Sequence, residues 1–150
     1  MSRIPQTIGL VAAGVLLALA GLHVYWAAGG RWGASAAVPW REGTTGAGDG
    51  RPLFRPKKAA TLLVALLLFL GAAILSGSAG LFGRLAPGWL FRGGTGVLAL
   101  VFLARAIGDF RWFGLFKRQA ATRFAALDSA LYTPLCLGLA AACVVVALAI

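Results

Sequence analysis

Residues 59–81 read AATLLVALLLFLGAAILSGSAGL, a run of 23 positions without a single charged side chain. At about 1.5 Å of rise per residue, a helix of this length crosses the roughly 30 Å hydrocarbon core of a bilayer. In water, a helix this apolar would leave a large sticky surface exposed. The stretch therefore predicts a transmembrane helix.

Three other segments of the chain fit the same interpretation. The four predicted spans cover about residues 5–28, 59–81, 91–108 and 131–150. The first has no charge between Arg3 and Arg31. A cleaved signal peptide is the rival interpretation, but this apolar run is much longer than the roughly 7–15 residues of a signal core. The third span is the shortest, and we expect Arg105 near its end to extend towards the interface.

The composition supports a membrane protein of one domain, residues 1–150. The chain is 60% apolar and 12% charged, with a mean hydropathy of +0.87, whereas soluble domains carry roughly 25% charged residues. The net charge of +10 lies mainly in the connecting loops and accompanies no nucleic-acid-binding motif, so no nucleic-acid partner is expected. Cys136 and Cys143 are two helical turns apart, too far for a disulfide, and are predicted to be apolar fillers.

The connecting stretches differ in character. Loop one, residues 29–58, contains the Gly- and Thr-rich run 43–50, and we expect about residues 41–56 to be flexible. In loop three, residues 105–130, apolar side chains recur at helical spacing and predict a short helix in the interface plane, about residues 113–127. Those side chains are Phe113, Phe116, Ala120, Phe124 and Leu127. The predicted fold class is all-α: an integral membrane four-helix bundle with a short interfacial helix between helices three and four.

The start of the fourth span has two interpretations. Thr133 and Pro134 suit an N-cap and a first-turn proline. Alternatively, Asp128 is the cap, and Pro134 falls in the opening turns of one longer helix.

The distribution of cations predicts the orientation in the membrane. Loops one and three hold eleven of the fourteen lysines and arginines, and the opposite side holds three. By the positive-inside rule both loops face the cytoplasm and both termini lie outside the cytoplasmic membrane. The eleven are Arg31, Arg41, Arg51, Arg55, Lys57, Lys58, Arg105, Arg111, Lys117, Arg118 and Arg123; the three are Arg3, Arg84 and Arg92.

Three blocks of sequence, in order, resemble a family of small bacterial membrane proteins classed as a domain of unknown function with four predicted spans. The blocks are His23-Val-Tyr-Trp26 with Gly29-Gly-Arg-Trp-Gly33, then Gly108-Asp-Phe-Arg-Trp-Phe-Gly114 and its continuation, then Asp128-x-x-Leu-Tyr-Thr-Pro-Leu-Cys136. The resemblance covers nearly the whole chain, apart from residues 43–50. It implies the fold and a bacterial inner-membrane location, and it implies no activity.

Three polar residues are candidates for catalysis, and each also has a structural interpretation. His23, the only histidine, could be a general base or could simply bond to backbone or to Asp109. Asp109 could serve a site, bridge to Arg31 or His23, or pair with Arg105 four residues earlier on a continuing helix. Asp128 could line a polar pocket at the membrane surface together with His23 and Asp109, or it could cap the fourth span. Candidate ligand- or lipid-binding residues are Tyr25, Trp26, Trp32, Arg111, Lys117, Arg118, Arg123 and Tyr132.

The favoured function is a lipid-, small-ligand- or partner-binding or structural role in the membrane, without a cofactor or a metal site. The sequence leaves open whether the protein is an enzyme, and it favours a role without catalysis. The alternatives are a small membrane enzyme using His23 with Asp109 or Asp128, and a subunit of an oligomeric transporter. The expected partners are membrane lipids and a second copy of the chain, bound through small-residue helix faces. One such face consists of Ser76, Gly77, Ser78, Gly80 and Gly83, and its expected counterpart consists of Gly14, Ala18 and Gly21.

Overall fold

The computed structural model describes residues 3–39, 52, 56–82, 87–118 and 122–150. The regular elements over these residues are α-helices and one π-helical turn, and four helices are long and apolar enough to cross a membrane. Nearly all of the stretch predicted to be flexible, 41–56, lies outside the described residues. The elements are α1 (Arg3–Ala27), α2 (Ala34–Ala37), α3 (Lys58–Ser78), α4 (Gly88–Ile107), α5 (Arg123–Leu127), the π turn (Asp128–Tyr132) and α6 (Thr133–Ala149).

The first three long helices begin and end within three residues of the predicted spans. The fourth begins about eight residues earlier than predicted, because α5, the π turn and α6 form one helical run, Arg123–Ala149. The side chain of Thr122 caps its start by accepting a hydrogen bond from Ala125 N at 3.1 Å. Pro134 lies in the first turn of α6. The longer-helix interpretation is therefore correct, but with Thr122 rather than Asp128 as the cap.

The four long helices form a closed bundle. α1 packs mainly against α3, and α4 against α6; contacts of α3 with α4 and of α1 with α6 complete the ring. Gly9 of α1 lies beside Ala79 at the end of α3, so these two helices are antiparallel. The Tyr132 hydroxyl donates to Ala36 O at 3.1 Å. Loops one and three therefore lie at the same end of the bundle, here called the loop end.

The core is built of small residues, and most large apolar side chains face outward. Ala12, Ala13, Ala72, Ala99 and Ala140 pack in the centre around Leu16 and Leu75. In water this arrangement would expose far more apolar surface than a monomer tolerates. In lipid it is favourable, because small residues let helices approach while large ones contact acyl chains. Exposed examples are Leu62, Leu66, Leu67, Phe69, Leu100 and Leu148.

The small residues near the end of α3 contact α4. A Cβ at Gly77 would overlap the ring of Phe91, and the hydroxyls of Ser78 and Thr95 are 2.8 Å apart in the buried interface. At Gly14 and Gly21 of α1, an added Cβ would meet no other atom within 4 Å. Within one chain, these two glycines of α1 therefore do not pack against the small residues of α3. Pairing of two copies through the α1 face stays a prediction.

Candidate functional site

A buried carboxylate, Asp128, joins loop three to the last two long helices. Its side chain is completely buried, and one oxygen accepts from Arg105 Nη2 at 2.9 Å. The other oxygen accepts from Gly114 N at 2.8 Å, Lys117 Nζ at 3.0 Å and Thr133 Oγ1 at 3.2 Å. These five residues are called the Asp128 clasp. Four donors on one carboxylate offset the cost of taking a charge out of solvent.

The clasp contains one more positive charge than negative charge. Lys117 is 8% exposed and Arg105 32% exposed, so both cations are partly removed from water. Lys117 also donates to Ser129 Oγ at 2.6 Å, and the Arg105 guanidinium lies 4.5 Å from the centre of the Phe113 ring. Arg105 Nη1 is buried without a hydrogen-bond partner among the described residues. The Asp128 carboxylate therefore balances only one of the two positive charges that it binds.

The segment 108–114 forms a tight turn closed by two glycines. Gly108 has φ 83° and ψ −167°, and Gly114 has φ 93°, backbone conformations that disfavour side chains. A Cβ on either glycine would overlap backbone atoms of the facing arm of the turn. The hydrogen bond from Leu115 N to Ala106 O, 2.9 Å, closes the turn. The two glycines thereby place Gly114 N for its bond to Asp128.

Asp109 stabilises the same turn from within. Its Oδ1 accepts from the backbone N–H groups of Arg111, Trp112 and Phe113 at 3.0, 2.7 and 3.1 Å. Partial burial alone would raise the pKa of Asp109, but these N–H donors outweigh it and hold the pKa below its ordinary value of 3.8. Asp109 is therefore a structural side chain in a turn.

Three predictions about loop three are corrected by this geometry. Arg105 does not pair with Asp109, because α4 ends at Ile107 and the chain leaves the helical path at Gly108. Asp128 does not cap the fourth span, because it lies inside the helical run, in the π turn. Of the short helix predicted over residues 113–127, Arg123–Leu127 is helical, but as the start of the fourth long helix. Residues 113–118 form bends and turns, and residues 119–121 lie outside the described residues.

The aromatic residues at the end of α1 form a second group at the loop end. Trp26 Nε1 donates to Trp32 O at 2.9 Å, and Trp32 N lies 3.4 Å from the Tyr25 hydroxyl. The chain passes close to the Tyr25 ring at Gly30, where a Cβ would overlap it. His23 contacts the Trp26 ring edge-on, with centroids 5.1 Å apart, and its Nδ1 lies 2.8 Å from Leu19 O. The prediction that His23 bonds to backbone agrees with this contact.

The structure brings only part of the predicted site together. Lys117, Asp128 and Tyr132 are neighbours, and His23 is beside Trp26. No hydrogen bond or ion pair joins His23 to Asp109 or Asp128 over the described ranges. Likewise, no group of three metal-ligating side chains occurs there. Arg111, Arg118 and Arg123 are exposed, and Arg111 lies 5.3 Å from the centre of the Trp112 ring.

The sequence does not predict four of these roles: the bonds of Arg105, Gly114 and Thr133 to Asp128, and the cap formed by Thr122. Two of them had a local signal. Thr122 precedes an apolar run and has the side chain preferred at N-caps. Gly108 and Gly114 flank an Asp-containing segment, a composition typical of turns rather than of a helix. The pairing of Arg105 with Asp128 spans 23 residues and leaves no local trace.

Four apolar helices with a small-residue core define a multi-pass membrane protein. The chain belongs to the family described as "Protein of unknown function (DUF3995)", whose model matches residues 16–143. That range includes the Asp128 clasp, the 108–114 turn and the aromatic group of α1. No curated protein and no solved structure gives a significant match. The family description assigns no activity, so function has to be argued from the geometry.

Proposed function

We propose that this protein binds lipids, and that loop three holds anionic headgroups at the membrane surface. The proposal rests on the difference between the acidic and the basic side chains of this loop. Both carboxylates, Asp109 and Asp128, are occupied by structural donors, whereas Arg111, Arg118 and Arg123 are exposed and form no ion pair within the described residues. A catalytic role for His23 with either carboxylate is less well supported, since both have other partners.

The charge of loop three favours an anionic partner. The loop contains five cations and two carboxylates, a net charge of +3. Arginine binds phosphate oxygens through two parallel N–H groups, and each basic residue near an anionic leaflet contributes about 1 kcal/mol. Three exposed arginines therefore favour an anionic over a zwitterionic lipid by about 3 kcal/mol, or roughly two orders of magnitude in affinity.

Two of these arginines, Arg111 and Arg123, lie on a backbone that hydrogen bonds hold in place. Arg111 lies within the turn that Asp109 and the two glycines hold, and Arg123 begins α5 directly after the Thr122 cap. A fixed backbone reduces the entropy lost when a headgroup binds. The clasp thus supports binding indirectly, by holding the loop against α4 and α6.

Native mass spectrometry in nanodiscs that mix phosphatidylglycerol and phosphatidylcholine tests the proposal. The variant Arg111→Gln/Arg118→Gln should retain about 30-fold less phosphatidylglycerol than wild type, from two charges at about 1 kcal/mol each. The matched control Arg3→Gln/Arg92→Gln also removes two charges. These lie near the starts of α1 and α4, at the end of the bundle opposite the loop end. Equal losses in both variants would show that retention follows net charge alone and would contradict a site in loop three.

The orientation of the protein belongs to the same proposal. Loops one and three share one end of the bundle, and together they carry most of the cations, which supports a cytoplasmic location for both. Single cysteines at Arg118 and at Arg92, in a chain lacking the two native cysteines, can be labelled with a membrane-impermeant maleimide in intact spheroplasts. Labelling of Arg118→Cys, and not of Arg92→Cys, would refute this orientation.

The homo-oligomer is also a proposal. Gly14 and Gly21 lie on an exposed face of α1 and would let a second helix approach closely. The same mass spectra report the stoichiometry. A monomer at every protein-to-lipid ratio would refute it, and would also weigh against an oligomeric transporter.

A further inference from the structure

A cavity of about 510 Å³ lies at the loop end between the end of α1 and the start of α3. This volume is within the range of sites that hold small molecules. Its walls are mainly apolar, and three polar side chains interrupt them: His23, Lys57 and Thr61. The apolar lining includes Trp26, Ala34, Val38, Ala60 and Val64. The cavity is distinct from the Asp128 clasp and from the arginines of loop three, none of which line it.

The hydrogen bond of His23 determines which ring nitrogen remains for a ligand. Leu19 O can only accept, so Nδ1, 2.8 Å away, carries the hydrogen and donates. The other nitrogen, Nε2, has no protein partner in the described part of the chain. In a neutral ring with this tautomer, Nε2 is an acceptor. It therefore suits a hydroxyl donor on the ligand.

Lys57 supplies the opposite requirement. Its exposed side chain lines the cavity, and its ammonium group can only donate, which suits an anionic oxygen. Thr61 Oγ1 already donates to Lys57 O at 3.3 Å, which ties the first turn of α3 at this point. Lys58 follows directly but does not line the cavity. Comparing variants of Lys57 and Lys58 therefore distinguishes a specific contact in the cavity from a general effect of positive charge.

Trp26 makes the apolar wall rigid. Its indole is held by the hydrogen bond to Trp32 O at 2.9 Å and by the edge-on contact with His23. An ordered aromatic wall costs little conformational entropy on binding. Trp26, Val38 and Val64 thus offer a preformed surface for a short hydrocarbon stem.

We infer that this cavity binds an amphiphile whose head carries both an anionic phosphate oxygen and a hydroxyl group. The anionic oxygen accepts from Lys57, the hydroxyl donates to Nε2 of His23, and the apolar stem lies against Trp26. An alkyl phosphate monoester has this head as its monoanion, which keeps one P–OH group, and a phosphoglycerol lipid headgroup has it through the glycerol hydroxyls. An alkyl carboxylate has the charge without the hydroxyl, and an alkyl alcohol has the hydroxyl without the charge.

The single histidine allows a direct test. Protein labelled with ¹⁵N-histidine, in phosphatidylcholine nanodiscs, gives imidazole signals from His23 alone, because the chain has one histidine. Decyl phosphate should cause a saturable shift of the Nε2 signal, with decanoate and decanol as matched probes. Lys57→Gln should weaken binding about tenfold or more, the loss expected for one charge-assisted hydrogen bond. Lys58→Gln should leave the dissociation constant unchanged.

The controls decide between a site and the surrounding bilayer. Ala60→Trp, at an exposed position of α3, and Ala34→Leu fill the cavity from two sides and should abolish the shift. A shift that persists in both cavity-filling variants would overturn the inference. So would an equal shift with decanol or decanoate, or a loss of affinity in Lys58→Gln as large as that in Lys57→Gln. A lysophosphatidylglycerol arm distinguishes the source: a saturable shift with it assigns a lipid headgroup, and a shift with decyl phosphate alone assigns a free phosphomonoester.

Discussion

Replacing Asp128 with asparagine tests the central energetic argument of the structure. The substitution keeps the size of the side chain but removes the charge that holds Arg105 and Lys117. It also turns one acceptor into an amide donor, which would face the existing donors Gly114 N, Lys117 Nζ or Thr133 Oγ1. Two cations would then lie close together without a counter-charge.

The expected loss is about 3 kcal/mol in the free energy of unfolding. Removing one partner of a buried ion pair typically costs about 3–5 kcal/mol. The lower end applies because Lys117 keeps its bond to Ser129 Oγ at 2.6 Å and because Arg105 is 32% exposed and stays against Phe113. Asp109→Asn removes the same charge from the same loop, but its amide oxygen still accepts from backbone, so about 0.5–1 kcal/mol is expected.

Reversible unfolding in mixed micelles with increasing SDS, followed by tryptophan fluorescence, measures both variants. A second substitution, Lys117→Met, sharpens the test, because removing the unpaired ammonium should restore at least about 1 kcal/mol to Asp128→Asn. Equal losses for Asp128→Asn and Asp109→Asn would refute the reasoning. So would a Lys117→Met substitution that lowers stability further instead of restoring it.

Three further predictions use the same unfolding assay. Gly114→Ala should cost about 2 kcal/mol or more, because φ is 93° and a Cβ would overlap backbone; Gly93→Ala, in open space on α4, should change little, and similar losses would contradict the turn geometry. The pKa of Asp109 is lowered on folding, so its contribution to stability is present above pH 3.8 and is lost as pH falls through its lower folded pKa. The difference between wild type and Asp109→Asn should accordingly be constant from about pH 5 to 7 and shrink in acid; a difference that grows in acid would exclude this role. Thr95→Val should cost about 1 kcal/mol by breaking the contact with Ser78 between helices, and no loss beyond that of Thr61→Val would count against it.

The spans were predictable from the sequence because apolar length is a local property. A run such as 59–81 has to be covered by lipid or protein wherever it lies, so its helical character does not depend on distant residues. The errors at its end, where α3 stops at Ser78, concern a Gly- and Ser-rich segment in which helix and turn differ little in energy.

Loop three is harder to predict, because its apolar periodicity favours a helix whereas its glycines and Asp109 favour a turn. Phe113 and Phe116 recur at helical spacing, but Gly114 lies between them with φ 93°. Asp109 then offers the N–H groups of the turn an acceptor that competes with helix formation. The local signal was present in the glycines and the aspartate.

The partners of the charged residues could not be deduced at all from the sequence. Arg105 has Asp109 four residues away, a favourable helical spacing, yet it bonds to Asp128 instead. That choice depends on where α4 ends and on the π turn that directs Asp128 inward. The end of α4 has a local signal in Gly108, but the approach of Asp128 to Arg105 is a tertiary contact, so long-range information is needed to find the pair.

The order in which the chain is synthesised determines when the clasp can form. The bundle consists of two helical hairpins, α1 with α3 and α4 with α6, and the first can form while the ribosome is still making the second. Arg105 and Lys117 are made before Asp128, so the clasp cannot close until Asp128 and Thr133 have been made. All five residues of the clasp belong to α4, α6 and the segment between them, so closing the clasp depends on packing of the second hairpin. A chain stopped before Asp128 would contain both cations of the clasp without the carboxylate that pairs with them.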